Sequence, residues 1–476
     1  MESTNSASGT YDFGVIGLGV MGHSLILNIG DHGFSVVGYD TDSAKAQSLT
    51  DETGDQPIRG TASLEEFVDL LEKPRRILMM VPAGGPVDAV IKAISPLLDE
   101  GDLLLDGGNS HFPDTERRAK ELAAKKLRFF GMGVSGGQEG ARRGPSIMPG
   151  GDKEAYERVR PVLEAIAAKV KDEPCVAYMG SGAAGHYVKM VHNGIEYSIM
   201  QLISEAYDLM QRGLGLRPEE LHEVFKAWDD DELQSFLIEI TAAIFDQRLE
   251  DQPDSYLVDF ILDSAKQKGT GKWTSQSALD LGVPTPNIDV AVTMRYLSAL
   301  KPQRMEASET LLGPPSQFEE DRDSVIGEIR NALSFAFIVT FAQGMALLRA
   351  ASDEYNYGTD LASVARIWRG GCIIRARLLE DISAAYTHQP DLPNLMMDDH
   401  LAKLLSQEQV DARNVVARAA YYGIPVPGLS VALAYYDAYR SARLPSNLIQ
   451  AQRDYFGAHT YERTDLEGTF HTEWGD

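Results

Sequence analysis

The sequence has few of the features that mark secreted, membrane or metal-binding proteins. Only two cysteines occur among 476 residues, which is too few for a disulfide framework, so a reducing cytoplasm is the expected location. We find no apolar run long enough to cross a bilayer, and the first ten residues lack the pattern of a signal peptide. These features predict a cytoplasmic protein with no membrane partner.

Basic residues are outnumbered as well. The chain has 44 Lys and Arg residues and 70 Asp and Glu residues, which gives a formal net charge of −26. This charge argues against nucleic acid as a partner and would repel an anionic substrate. Any site for an anion must therefore collect basic side chains locally. The metal-binding patterns HExxH and CxxC do not occur, so we expect a reaction that needs no metal ion.

The length of the chain predicts two or three domains. Strand-like and helix-like segments alternate at first, which is typical of an α/β domain with a parallel sheet. The pattern then becomes helical. We predict a Rossmann-type dinucleotide-binding domain over residues 1–182, a large all-α domain over 183–440 and a C-terminal tail over 441–476.

A glycine motif lies between the first predicted strand and the first helix, and reads Gly17-Leu18-Gly19-Val20-Met21-Gly22. In this context GxGxxG predicts a dinucleotide with its pyrophosphate at the helix N-terminus, an ordinary βαβ turn being the alternative. The second strand ends at Asp40, where an acidic residue can bind the adenosine ribose. Because Thr41 and Asp42 follow and no arginine is adjacent, we predict a preference for NAD over NADP.

The segment 186–197 predicts the first turns of a long helix that ends near Arg212. Four polar residues recur there at positions i, i+3, i+4 and i+7 and share one face with Tyr197 beside them: Lys189, His192, Asn193 and Glu196. Such a face suits proton transfer, because burial lowers the pKa of a lysine and raises that of a glutamate. A polar seam between domains is the alternative interpretation.

A shift of the sequence by 140 positions indicates an internal helical repeat. Ala206, Leu221, Val224 and Trp228 then coincide with Ala346, Leu361, Val364 and Trp368. In the second copy the polar residues are replaced by Ile329, Ala332, Leu333, Ala336 and Phe337. A helix at this place therefore packs without polar side chains, which favours a functional role for the polar face.

Glycine-rich loops follow two further predicted strands. Asn109 follows one of them, and Ser135, Gly136 and Gly137 follow the other. Ligands of parallel sheets bind beyond the carboxyl ends of the strands, although tight turns are the alternative. The segment 133–137 also matches GxSxG, but we expect a loop after Ser135, whereas a nucleophile elbow needs a helix there.

Basic residues collect in the helical part of the chain, as an anion site requires. Lys268 and Thr270 lie in a glycine-rich loop, and Arg295 lies in a helix predicted over residues 288–300. The planar guanidinium group of arginine suits phosphate. A solvated surface loop is the alternative.

The last segment of the chain predicts an intersubunit contact. It contains Arg453 and His459, is rich in Tyr and Phe, and shows no regular pattern. Aromatic side chains in such a tail are expected to pack on a partner subunit rather than to extend into solvent.

Together these motifs resemble one family, the decarboxylating 6-phosphogluconate dehydrogenases, over nearly the whole chain. The resemblance is carried by Gly17–Gly22, Leu105–Ser110, Val134–Gly151, Lys189–Tyr197, Gln267–Trp273, Ile367–Arg375 and Arg453–Tyr461. It implies oxidative decarboxylation of 6-phospho-D-gluconate to D-ribulose 5-phosphate and CO₂ in the pentose phosphate pathway. It also implies a homodimer in which the tail completes the partner's site.

The resemblance further implies a role for each matching residue, with Lys189 as general base, Glu196 as general acid, and Asn109 and His192 orienting the reacting oxygens. The substrate would be held by Asn109, Ser135, Gly136, Gly137, His192, Asn193, Tyr197, Lys268, Thr270 and Arg295, and by Arg453 and His459 from the other subunit. The cofactor would contact Gly17, Leu18, Gly19, Val20, Met21, Gly22, Asp40, Thr41, Val81, Ala83 and Asn109.

Members of the family that use NADP read Asn-Arg-Thr where this chain reads Asp40-Thr41-Asp42. This departure again favours NAD as the cofactor, and NADP is the alternative. Two other functions stay open at this point. One is a non-decarboxylating β-hydroxyacid dehydrogenase, and the other is a catalytically inactive regulatory protein that binds the cofactor.

Overall fold

The computed structural model describes residues 10–54 and 56–475. The first domain alternates strands and helices, because short runs of buried apolar residues are separated by amphipathic segments. Its strands are β1 Phe13–Ile16, β2 Val36–Tyr39, β3 Ile58–Thr61, β4 Arg76–Met79, β5 Leu103–Asp106, β6 Arg128–Ser135, β7 Ser146–Gly151, β8 Lys169–Val170 and β9 Glu173–Pro174. Its helices are α1 Val20–Asp31, α2 Ser43–Thr53, α3 Leu64–Asp69, α4 Gly85–Ile94, α5 Phe112–Ala123, α6 Gly137–Arg143 and α7 Lys153–Ile166.

Seven strands form one sheet in the order β3-β2-β1-β4-β5-β6-β7. The strands β1 to β6 are parallel and β7 is antiparallel to β6. Val15 in β1 lies opposite Gly38 on one side and Leu78 on the other. The strand order reverses between β1 and β4, and ligands of open α/β sheets bind at such a crevice. The Rossmann-type fold predicted for this part of the chain is confirmed.

From Ala184 onwards to the tail the described chain is helical. The helices are α8 Ala184–Asp208, α9 Pro218–Asp229, α10 Phe236–Asp246, α11 Thr270–Asp280, α12 Pro286–Ala299, α13 Lys301–Thr310, α14 Arg322–Glu354, α15 Leu361–Trp368, α16 Leu378–His388, α17 Asp399–Tyr421 and α18 Pro427–Tyr439. A π-helical turn, Leu209–Gly213, continues α8. Short 3-10 segments lie at Ser95–Leu97, Leu257–Phe260 and Leu395–Met397.

The helix order of the second domain repeats, as the sequence predicted. The series α8 to α12 corresponds to the series α14 to α18, since α12 begins at Pro286 and α18 begins at Pro427, 141 positions later. The two long helices α8 and α14 pack against each other. Where α8 carries its polar face, α14 has buried apolar residues such as Ile329 and Leu333.

Helix α14 corrects the expectation that no apolar segment is long enough to cross a bilayer. It is long and apolar enough to cross a bilayer by length and hydropathy alone, yet 83% of its most apolar window is buried inside the fold. Its apolar residues pack into the core that the two helical repeats share. We therefore describe α14 as the central helix of the second domain.

The prediction of a loop after Ser135 was wrong, because helix α6 begins at Gly137. Gly136 caps this helix with a φ of 112°, a left-handed conformation that favours glycine and turns the chain from β6 into α6. The residues that follow, Gln138 and Glu139 among them, are good helix formers. A nucleophile elbow at Ser135 is therefore not excluded by the local backbone. The contacts of the Ser135 hydroxyl group decide what this residue can do.

The tail is more regular than the sequence predicted. It contains α19 Ser446–Gly457 and two short antiparallel strands, β10 Tyr461–Glu462 and β11 Thr469–Phe470. The buried carboxylate of Asp454 organises these elements, because it accepts hydrogen bonds from the Thr460 backbone N–H and the Trp474 indole at 2.9 and 2.7 Å. Burial would raise the pKa of Asp454, but its donors outweigh that effect and lower the pKa.

Candidate functional site

Two glycines in β6 let helix α8 pass close to the sheet. A Cβ atom at Gly133 would overlap Cβ of Lys189, and a Cβ atom at Gly131 would overlap the ring of His186. Successive residues of a strand point to opposite faces, so residues two apart face the same helix. The strand therefore provides a seat for Lys189 at the edge where β6 ends.

The polar face predicted on α8 forms one cluster around the His192 imidazole. Its Nδ1 lies 3.4 Å from Nζ of Lys189 and 3.8 Å from Oε2 of Glu196. Its Nε2 lies 3.3 Å from Oγ of Ser135, at the end of β6. A base and an acid thus meet at one ring, and a hydroxyl group lies on its other side.

Burial sets the protonation of this cluster. The side chain of Lys189 is only 6% exposed, and burial lowers its pKa although the charges of Glu196 and Cys372 raise it. Burial likewise raises the pKa of Glu196, opposed by the charges of Lys189 and Arg295. Burial, with Lys189 nearby, holds the pKa of His192 well below its usual value. The neutral amine and the protonated carboxyl group are therefore both favoured.

The residues predicted to hold a phosphate group lie on the C-terminal side of this cluster. Asn193 donates a hydrogen bond of 3.2 Å to the Thr270 hydroxyl, and the Lys268 backbone N–H donates one of 3.4 Å to the Tyr197 hydroxyl. The Arg295 guanidinium group lies over the Tyr197 ring at 3.8 Å. The Arg295 guanidinium group, the backbone of Lys268 and the hydroxyl groups of Tyr197 and Thr270 thus lie close together, and an anionic substrate needs such a local cluster because the overall charge is negative.

The glycine motif has the shape that a pyrophosphate needs. Gly17 has a φ of 94°, and a Cβ at Gly22 would overlap the Gly17 carbonyl oxygen. A Cβ at Gly19 would meet no atom within 4 Å, and Gly19 begins α1 without a side-chain cap. The uncapped N–H groups of α1 therefore face open space, which fits an anionic dinucleotide.

Asp40 lies beside this motif at the end of β2. Its Oδ2 accepts the Leu18 backbone N–H at 2.8 Å, and its Oδ1 accepts the Asp42 backbone N–H at 2.9 Å. The Lys45 ammonium group is 3.6 Å from Oδ2. Thr41 is exposed at the rim. The carboxylate is thus fixed at the edge of the glycine motif, with Lys45 as the nearby cation.

The other predicted cofactor residues lie on the loops after β4 and β5. Val81 is half-buried, and Ala83 and Asn109 are exposed, so the last two are free to contact a ligand. Arg118, which sequence reasoning missed, joins both loops. Its guanidinium group donates to the Gly84 carbonyl at 2.9 Å and to the Ser110 hydroxyl at 3.4 Å. No local sequence pattern relates a residue of α5 to these loops.

His186 is a second side chain close to the site that sequence reasoning missed. Its Nε2 donates to the Asp106 carbonyl at 3.0 Å, and its Nδ1 accepts the Thr115 hydroxyl at 2.6 Å. These bonds connect α8 to the end of β5, close to Asn109. A signal was present, since His186 precedes Lys189 by three positions and shares its helix face.

Sequence models of one protein family match both domains. The NAD binding domain of 6-phosphogluconate dehydrogenase matches residues 12–181, and the 6-phosphogluconate dehydrogenase C-terminal domain matches residues 185–474. The chain belongs to the 6-phosphogluconate dehydrogenase family. The crevice beside the glycine motif is accordingly the site of a nicotinamide cofactor.

Curated relatives of this family match nearly the full length of the chain. The decarboxylating, NADP(+)-dependent 6-phosphogluconate dehydrogenase of Bacillus subtilis is 55% identical over 462 residues, 97% of this chain and 98% of the relative. The decarboxylating enzyme of Escherichia coli strain K12 is 53% identical over 464 residues, 97% and 99% of the two chains. The structure of Plasmodium falciparum 6-phosphogluconate dehydrogenase, described with its cofactor NADP+ and its substrate 6-phosphogluconate, is 42% identical with a TM-score of 0.93, and covers 97% of this chain and 100% of that chain.

Some residues expected at a family site are not brought into the cluster by the chain itself. Arg453 donates to Gln450 at 3.0 Å, and the His459 ring packs against Phe456, so the described contacts of both lie within the tail. A cavity of about 660 Å³ between α14, α16 and α17 contains none of the predicted site residues. Within residues 10–54 and 56–475, no group of three or more His, Cys, Asp or Glu side chains is arranged around a metal position.

Proposed function

We propose that this protein oxidises 6-phospho-D-gluconate and removes its C1 carboxylate as CO₂, giving D-ribulose 5-phosphate. The observation that carries the proposal is the contact of Lys189 and Glu196 with the same His192 nitrogen, at 3.4 and 3.8 Å. His192 contacts Ser135 at the end of β6, and the neighbouring Asn193 contacts Thr270 beside the basic loop. Relatives that are 53 to 55% identical over nearly the whole chain bear the name of this activity.

The reaction begins with Lys189. Its neutral amine accepts the proton of the substrate C3 hydroxyl, and burial favours that neutral form. The bound nicotinamide supplies an acceptor for the hydride of C3. Glycine at position 133 lets the amine reach this place, because the strand leaves room for the lysine stem.

Protonated Lys189 then serves the second step. The product of oxidation is a β-keto acid, whose C1–C2 bond breaks so that CO₂ leaves and the electron pair forms an enediol across C2 and C3. The ammonium group of Lys189 donates to the C3 oxygen and stabilises the charge that develops there. A divalent metal ion supplies that charge in other enzymes, so we propose a metal-independent reaction.

Glu196 completes the reaction as the general acid. Its carboxyl group donates a proton to the carbon that carried CO₂, which is C2 of the substrate and becomes C1 of ribulose 5-phosphate. The hydroxyl group on the former C3 then gives its proton to Lys189 or solvent and becomes the C2 ketone of the product. Burial raises the pKa of Glu196 and so favours the protonated form that an acid needs. His192 lies between the two groups and, with Asn109 and Ser135, orients the oxygens of the substrate.

The sugar phosphate is placed by the residues around Tyr197. Lys268 and Arg295 supply positive charge, and Thr270 and Tyr197 supply hydroxyl groups. A net charge of −26 makes such a local cluster necessary for an anionic substrate. Gly136 and Gly137 at the start of α6 offer backbone N–H groups to the sugar acid.

NAD is proposed as the preferred cofactor. The Asp40 carboxylate lies at the glycine motif, where it can accept the adenosine ribose hydroxyls and would repel a 2′-phosphate. The Bacillus subtilis relative is named NADP(+)-dependent, and the Plasmodium falciparum structure is described with NADP+. Lys45, 3.6 Å from Asp40, is the one cation near this carboxylate in the described contacts, and it makes NADP the alternative.

A homodimer with tails that complete the partner's sites is proposed as well. Large exposed apolar patches mark interfaces. The described chain exposes groups of apolar side chains in two places. One surface belongs to the tail and includes Leu448, Ile449, Tyr455 and Phe456. The other lies near Arg295 in sequence and includes Phe260, Ile261, Leu262, Leu297, Leu300 and Met305. Contact between such surfaces would bring Arg453 and His459 to a site in the second subunit.

A cytoplasmic location is proposed from the cysteines. Cys175 and Cys372 are both buried and free, as is typical of proteins of a reducing compartment. Fractionation of cells that produce the protein tests this, and recovery in a secreted or membrane fraction would contradict it.

Initial rates with 6-phosphogluconate and either nicotinamide cofactor test the proposed function. We expect one CO₂ for each reduced cofactor. Reduced cofactor without CO₂ would indicate a non-decarboxylating β-hydroxyacid dehydrogenase. No reduced cofactor at all, with normal cofactor binding, would indicate an inactive regulatory protein.

A further inference from the structure

Two aromatic rings join the cofactor side of the cleft to the phosphate side. The rings of His111 and Trp273 are stacked with centroids 4.7 Å apart and an interplanar angle of 29°. His111 directly follows the loop that carries Asn109 and is the N-cap of α5. Trp273 lies in the first turn of α11, next to the loop that carries Lys268. The stack therefore connects two loops that serve different ligands.

The position of Trp273 is tied to the phosphate loop. Its backbone N–H donates to the Gly269 carbonyl at 3.0 Å, and Gly269 has a φ of 101°, which only glycine adopts readily. A Cβ atom at Gly269 would be 3.8 Å from the indole ring. Thr270 in the same turn accepts the hydrogen bond from Asn193 on α8. A shift of the indole ring therefore shifts the groups that would hold the phosphate.

His111 is held from the opposite side by a chain of aromatic contacts. Phe112 packs edge-on against His111 at 5.4 Å and against Tyr187 at 4.9 Å. The Tyr187 hydroxyl lies 2.7 Å from the Ser277 hydroxyl of α11. Helices α5, α8 and α11 are thus linked in a closed circuit of contacts, and the His111–Trp273 stack connects α5 to α11 within it.

We propose that His111 and Trp273 are positioning residues that couple binding of the nicotinamide cofactor to binding of the substrate phosphate. The proposal rests on the proposed function for the identity of the two ligands. A cofactor that orders the loop at Asn109 also fixes His111, and the stack transmits that order to Lys268 and Thr270. The reverse effect must be equal, because coupling between two binding sites is reciprocal.

Equilibrium binding without turnover tests this coupling. The dissociation constant of 6-phosphogluconate is measured by calorimetry with and without saturating reduced cofactor, a pair of ligands that cannot react. For the unaltered protein we expect the ratio of the two constants to be about three- to tenfold, which is what one stacked aromatic pair supplies. In His111→Ala the ratio is expected to fall to about one.

Conservative variants separate coupling from folding. His111→Phe and Trp273→Phe keep a stacked ring and are expected to keep the ratio, whereas Trp273→Ala is expected to lose it. The double variant His111→Ala with Trp273→Ala should lose no more than either single variant, because both remove one contact.

A ratio of one in the unaltered protein, or an unchanged ratio in His111→Ala, would overturn the proposal. Its failure is distinct from failure of the proposed function, which would show as absence of turnover in the unaltered protein. Turnover with a ratio of one rejects the coupling and keeps the reaction.

Discussion

Gly133 and Lys189 occupy the same small volume between β6 and α8, since a Cβ at position 133 would overlap Cβ of the lysine. The strand and the helix therefore fix where the amine begins, independently of any ligand. The reactive nitrogen lies at the end of this stem, beside His192 at 3.4 Å. The proton transfer proposed for Lys189 would consequently depend on Gly133, a residue that takes no part in it.

Gly133→Ala is expected to reduce kcat about 10²-fold, because misplacement of a catalytic group by about 1 Å has an effect of that size. Steady-state rates with 6-phosphogluconate check this. Gly344→Ala is the matched control, since its Cβ would meet side-chain atoms of Ile195 at 2.5 and 2.7 Å and of Val191 at 3.6 Å, on another face of α8. A Gly133→Ala variant that is as active as Gly344→Ala would show that the seat is not required.

Lys189→Met and Glu196→Gln should fail at different steps, and each should reduce turnover by about 10²–10⁴. Lys189→Met lacks the base, so single-turnover mixing should show no rapid formation of reduced cofactor. Glu196→Gln retains the base, so a burst of one reduced cofactor per site should precede a slow steady state. The exposed Lys226→Met on α9 serves as the control. A burst in Lys189→Met, or none in Glu196→Gln, would reject the assigned roles.

The cofactor preference should reverse in a triple variant, Asp40→Asn with Thr41→Arg and Asp42→Thr. The arginine supplies the charge for a 2′-phosphate and the asparagine removes the repulsion. Threonine can replace Asp42 as N-cap of α2. We expect kcat/KM to favour NAD⁺ in the unaltered protein and NADP⁺ in the variant. A strong NADP⁺ preference before any substitution would refute our interpretation of Asp40.

Mixed dimers should reveal a shared site. A heterodimer of one Lys189→Met subunit and one Arg453→Ala subunit, purified with two tags, contains one site that combines an intact Lys189 with an intact tail from its partner. We expect about half of the activity of the unaltered dimer, although each parent variant alone is nearly inactive. If the tail serves its own subunit, the heterodimer stays as inactive as the parents.

Glu205 should make stability depend on pH. Burial raises its pKa to about 7, against the hydrogen bonds from Gln201, Leu429 and Gly428 that lower it. Because the folded pKa exceeds the unfolded value, the stability gained from protonation is present below about pH 4.5 and is lost as the pH rises through 7.

In Glu205→Gln this loss should be absent, since the side chain stays neutral. Urea denaturation at pH 5 and pH 8 measures the difference, which we expect to reach about 3 kcal/mol at most. Parallel pH curves for the two proteins would show that Glu205 does not titrate in this range.

Local periodicity explains why the grouping of the polar side chains on α8 could be predicted from the sequence. A helix places residues three and four apart on one face, so the spacing of Lys189, His192 and Glu196 already specified their neighbourhood. The turn at the glycine motif could be predicted for a similar reason, because the turn and the helix cap involve consecutive residues. The repeat of 140 positions was visible because both copies keep the apolar pattern of their helices.

The tertiary structure decided what no local pattern encodes. Arg118 and His186 reach the cleft through contacts with strands and loops that are remote in sequence, and the stack of His111 on Trp273 joins residues 162 positions apart. Helix α6 and the tail were also misjudged, since a left-handed Gly136 and the buried Asp454 carboxylate direct the chain there. Sequence spacing thus determined which groups share a face, whereas long-range packing determined what that face meets, because only folding brings remote surfaces within contact distance.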